Sequence, residues 1–212
     1  MNITNPIVNK RWIRVAAFSG LWACIVYPVV TNVAMTLILQ LILGASFGPA
    51  LAFASIGLYK ILKLNKDSVS VQAAMISNII AGAMVTAMMI VQMSVRYSSG
   101  ADKAEELIVK RIWDLVLGLD VTFDVFIGLG TILFGVAMLK HPRFGKFVGI
   151  TGIIIGAVFT IGFNFYTFPD PPGEVGLIDT GPVTGMWYLL VIIYVFRSLK
   201  WFNRQIDSNK QV

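Results

Sequence analysis

The sequence predicts an all-α, polytopic transmembrane helix bundle with six spans and both termini in the cytoplasm. Three observations predict it. First, 57% of the 212 residues are hydrophobic and 13% are charged, where an average soluble domain carries about 25% charged residues. Mean hydropathy is +0.77. Second, the apolar residues gather into runs long enough to cross hydrocarbon, which takes about 20 residues of helix. Third, the basic residues sort into alternate connectors between those runs.

The runs lie at roughly 12–32, 34–62, 69–95, 112–139, 146–168 and 182–202. They read as a single integral membrane domain over residues 1–212. The first follows Lys10, Arg11 and Arg14 as a signal h-region would. It continues well past that length with no A-x-A site behind it, so it reads as an uncleaved anchor. The second is long for one span. It is expected either to be one long helix, with Pro49 as a kink, or to begin as an interfacial segment before Gly44. Residues 96–111 are expected to form a short surface helix leading into the fourth run. Residues 168–182 carry Pro169, Pro171, Pro172 and Pro182, which exclude a continuous helix there. That connector is acidic and reads as a cap over the outer face or as a mobile loop.

Charge sets the orientation. Lys10, Arg11, Arg14, Lys60, Lys63, Lys66, Lys140, Arg143, Lys146, Arg197, Lys200, Arg204 and Lys210 fall on one side, thirteen of the 17 basic residues. Cytoplasmic loops of membrane proteins carry the Lys/Arg excess, which places both ends inside. A bacterial inner membrane is the expected location. The net charge of +6 then reflects topology and anionic lipid. Nucleic acid is not an expected partner, because no basic stripe with interleaved aromatics occurs.

The fourth run carries acid where acid is expensive. An ionisable residue at bilayer depth costs about 2.5–3.5 kcal/mol on insertion scales. Counted from Arg111, Asp124 lies roughly 20 Å along the helix, near the midplane. At the 100° advance of an α-helix, Asp120, Asp124, Gly128, Thr131 and Gly135 share one stripe with Trp113 above it. Val125, Leu129, Ile132 and Leu133 lie opposite. A face of carboxyls and small residues belongs inside a bundle or against a cavity. Arg96, Asn164, Trp187, Tyr27, Asn78, Tyr188, Gln40 and Gln92 are candidate partners. The acids are read as a site for a cation, a proton or a polar solute, lined by Asn164, Trp187 and Arg96 and gated by 168–182. Helix packing through hydrogen bonds is the competing reading.

Gly145, Gly149, Gly152 and Gly156 form a second stripe, continued by Thr160. Small residues let helix backbones approach closely. A contact with the Gly128/Gly135 face is expected, with a homodimer contact as the alternative. No cofactor or metal is expected. Cys24 is the sole cysteine and His141 the sole histidine, and they sit on different elements. Met84, Met88, Met89 and Met93 read as packing. No GxGxxG, Walker loop or HExxH occurs, so an enzyme is disfavoured.

Residues 111–200 resemble a large bacterial family of six-helix membrane proteins known only as a domain of unknown function. The likeness rests on DVFIGLGTILFGVAML, HPRFGK, NFYTFP and DTGPVTGMWYLL in that order. Asp124, His141, Pro142, Asn164, Pro169, Asp179, Pro182 and Trp187 occupy its recurrent positions. The resemblance implies a topology and carries no reaction or substrate with it.

Overall fold

A computed structural model of the chain describes residues 9–98, 103–167 and 181–208, with only the backbone described at 96–98, 103–106 and 167. Helices α1 (Arg11–Asn32), α2 (Leu37–Lys63), α3 (Val69–Ser98) and α4 (Lys103–Met138) come first. A fifth rod joins α5 (Gly145–Ile154), a π-helical segment (Ile155–Gly162) and α6 (Phe163–Thr167). Helices α7 (Gly181–Arg197) and α8 (Leu199–Ser208) follow. No strand occurs among the described residues. Five helical rods are long and apolar enough to cross a membrane, and the bent pair α7–α8 makes six if counted as one span. In hydrocarbon a helix satisfies its backbone within its own segment, which is why long apolar runs take this form.

Three boundaries differ from the sequence expectation. The second run is one uninterrupted helix from Leu37, and Pro49 sits on its exposed face. Residues 103–111 are not a separate surface helix. They continue into α4, whose 36 residues make a rod of roughly 54 Å. The segment KAEELIVKRIWDL is rich in strong helix formers and holds no glycine or proline to stop it. The sixth run does not extend to 202. It ends at Arg197, and α8 leaves at 61°. Phe202 and Ile206 of α8 are buried while Lys200 and Arg204 are exposed. A helix with one apolar stripe lies along a surface rather than through it.

The basic connectors meet at one end of the bundle. There Ile13, Leu62, Val71, Met138, Phe144, Val195, Phe202 and Ile206 form one buried cluster. Lys10 pairs with Asp207 at 2.7 Å, and Lys63 with Asp67 at 2.7 Å. His141 is buried in the α4–α5 turn, with Phe144, Trp201 and Phe202 around its ring. Its Nδ1 accepts the Arg143 backbone N–H at 3.1 Å. Burial, and then the nearby Arg143 charge, push its pKa from the usual 6.5 down to about 4.

Glycines set the spacing between rods. At Gly48 of α2 and Gly82 of α3 each glycine faces the other's carbonyl. A side chain on Gly82 would place its Cβ 2.6 Å from the Gly48 oxygen. Gly57 of α2 presses on Ala16 of α1 in the same way. Gly128 and Gly135 of α4 meet Gly156 of the π segment and Gly149 of α5, so the expected stripe contact is made within the chain.

Two outcomes follow from this packing. Gly82→Leu should destabilise the protein by about 1–3 kcal/mol, the usual range for overpacking. Gly118→Ala, with open space around it, should be neutral or slightly stabilising. Unfolding of both variants in one detergent measures the contrast. Separately, unfolded chains take up a histidine proton near 6.5, whereas folded His141 does so only near about 4. Between those values the unfolded state binds more protons, so stability falls as pH falls through that window. The melting temperature should therefore drop between pH 7 and pH 4.5, and drop less in His141→Gln.

Candidate functional site

Four polar side chains meet at the centre of the bundle. Asn78 of α3 is fully buried. Its Nδ2 donates to Tyr188 Oη of α7 at 2.8 Å and to Ser55 Oγ of α2 at 3.0 Å. Thr131 of α4 donates to the Ile127 carbonyl at 2.7 Å and lies 3.1 Å from Tyr188 Oη. Four helices are thereby cross-linked. Asn78 Oδ1 has no hydrogen-bond partner among the described residues. It occupies the space that a side chain on Gly130 would need, so no ligand can reach it there.

A second polar cluster lies nearer the opposite end from the basic connectors. Asn164 Nδ2 of α6 donates to Asp124 Oδ2 of α4 at 2.7 Å and to the Thr160 carbonyl at 2.6 Å. Thr160 shares a hydrogen bond of 2.8 Å with Thr184 of α7. The fifth rod is π-helical over Ile155–Gly162, and there the Thr160 hydroxyl donates to the Ile155 carbonyl, five residues back, at 3.1 Å. π-Helical turns in general gather at functional sites.

Beside this cluster lies a cavity of about 510 Å³ between α1, α2, α4 and α7, within the usual range of small-molecule sites. Asp124, Thr184, Tyr27, Thr31 and Asn32 line its polar part. Tyr188 and Ser55 line its middle, and Ala16, Leu58 and Val195 its depth. The acid therefore presents one face to Asn164 and another to the cavity.

The structure brings together only part of the expected site. Asp124, Asn164 and Tyr27 converge on it. Asp120 is half-buried one turn along α4 and does not line the cavity. Trp187 does not line it either. Its Nε1 donates to the Val148 carbonyl at 3.0 Å, and its ring packs on Gly152 as a peg between α7 and α5. Gln40 and Gln92 lie outside the lining. The Arg96 side chain and residues 168–180 lie outside the described residues. Asp114 of α4 is 3.5 Å from Arg111 on its own helix. Counted from Met138, Asp124 is roughly 21 Å along α4. That is about the same distance as from Arg111, so the two counts agree.

Sequence reasoning did not single out Thr184, Ser55 or Asn32. Thr184 offered a signal, as a small hydroxyl one turn into a helix opened by Gly181 and Pro182. Among the described residues no three His, Cys, Asp or Glu side chains converge. Compared with protein-family models, with curated proteins and with solved structures, the chain matches none.

Tyr188→Phe removes the hydroxyl on which Asn78 and Thr131 meet. Interhelical hydrogen bonds in membrane proteins average about 0.6 kcal/mol, with a maximum near 1.7. The loss should sit at the upper part of that range, because Asn78 stays buried with Ser55 as its remaining partner. Equilibrium unfolding in mixed micelles would give the value.

Proposed function

We propose that this chain is a six-span protein of a bacterial inner membrane, with both termini cytoplasmic. We propose further that it binds a small positively charged solute, or a solute carrying a cationic group, at Asp124. It would act there as a carrier or as a binding protein. One observation carries the reading: a carboxyl group held by the Asn164 amide at 2.7 Å lines a cavity of about 510 Å³. The Asn164 amide fixes the orientation of the carboxyl group, which places an acid where a cationic group could meet it.

The basic connectors support the orientation through the positive-inside rule. The likeness of the second half to the six-helix family supports the span count and the bacterial membrane. Asp120, one turn from Asp124 on α4 and outside the cavity lining, is assigned to the approach to the site rather than to its floor.

The Asp124–Asn164–Thr160–Thr184 chain links three rods, and this favours a second reading. The acid would then be packing glue in a regulator or assembly partner. Thermal unfolding separates the two. With a panel of monovalent cations, methylammonium and choline, the wild type should gain several degrees with at least one member. Asp124→Asn should melt within a few degrees of the unliganded wild type and gain nothing. A wild type indifferent to the whole panel, with Asp124→Asn simply less stable, selects packing.

A further inference from the structure

The cavity is much deeper than a small cation requires. On α1 its lining runs from Asn32 to Ala16 and on α7 from Gly181 to Val195. Those stretches are roughly 24 Å and 21 Å of helix. Half of a bilayer's hydrocarbon core is only about 15 Å. The space is therefore elongated, closer in shape to an extended chain than to a compact ring system.

Its chemistry is divided along that length. The polar lining, with Asp124, Thr184, Thr31 and Asn32, belongs to the end away from the basic connectors. Beyond Ser55 and Tyr188 the walls are Ala16, Gly20, Leu58, Val191 and Val195. The hydroxyl of Tyr188 is turned to Asn78 and Thr131, so the middle of the cavity offers ring carbon. Ala23 and Ala54 line the space with small side chains. Gly20 is already closely packed, since a Cβ there would lie 2.8 Å from Ile192 Cδ1 and 3.6 Å from Ala54 Cβ.

We propose that the cavity holds a single-chain cationic amphiphile. Its ammonium head lies at Asp124 beside Thr184, and its alkyl chain runs along Ala54 toward Leu58 and Val195. This rests on the reading of Asp124 as a cation site and adds the ligand class. A free alkylamine and the amine-bearing head of a single-chain lipid share this chemistry.

The full-length protein in phosphatidylcholine nanodiscs tests it, with empty nanodiscs measuring how much of each probe enters the bilayer. Binding is expressed against that bilayer concentration for hexadecylamine, butylamine and hexadecanol. The wild type should bind one hexadecylamine at least tenfold tighter than either of the others. Asp124→Asn should erase the advantage over hexadecanol, and Ala54→Phe the advantage over butylamine. Hexadecylamine bound no better than butylamine, with both lost in Asp124→Asn, overturns the amphiphile and leaves the cation site standing. Amine binding indifferent to Asp124→Asn overturns both readings. Full chain-length selectivity in an Ala54→Phe protein that melts like the wild type overturns the assigned path. The chain-length series on the wild type decides the ligand class if Ala54→Phe does not fold. There, loss of chain-length preference counts against the amphiphile and its presence counts for it.

Discussion

Backbone contact between α4 and the fifth rod sets the geometry on which the rest depends. Gly128 meets Gly156 and Gly135 meets Gly149 with no side chain between them. At that separation a short amide on the fifth rod reaches a short carboxylate on α4, and Asn164 lies 2.7 Å from Asp124. A larger residue at any of the four glycines would part the rods before the polar pair could form. Thr160 supplies the second half of the condition, because its carbonyl accepts from the Asn164 amide and holds it toward Asp124.

The two polar clusters answer the same physical demand in different ways. Hydrocarbon offers no water to a polar side chain, so each must find a partner within the protein. Asn78, Tyr188, Thr131 and Ser55 satisfy one another almost completely and close off the centre. Asp124 meets the demand through Asn164 while still lining a cavity. Tyr188 belongs to both regions. Its hydroxyl serves the central network, and its ring forms a wall of the cavity.

The basic end works differently. Its salt bridges are exposed pairs of small worth. Packing holds it, with α8 laying Phe202 and Ile206 over Phe144, Met138 and Ile13. The 61° bend at Ser198 lets one apolar run serve two purposes, a rod within the bundle and a strip across its end. Arg143 stands 5.4 Å above the Trp201 ring and donates its backbone N–H to His141. The sole histidine thereby ties the α4–α5 turn to α8.

Much of this was legible in the residues themselves. Hydropathy marked the rods, and the 100° advance put Asp124, Gly128, Thr131 and Gly135 on one face, as the structure finds them. The same reasoning matched the glycine stripe of α5 to that face. It stumbled where one local signal had to be weighed against another. Residues 96–111 suggested a separate surface helix where residues 103–111 in fact run on unbroken into α4. Trp187 looked like a lining residue because an indole N–H is a good donor, but the Val148 carbonyl claims it. Composition and periodicity by themselves determined that the chain is helical, apolar and one-sided in its acids, since those properties are local and repeat along a single rod. Which acid faces open space, and how deep that space runs, was decided only by tertiary structure. A cavity is what several rods leave unfilled between them, and no one rod carries its outline.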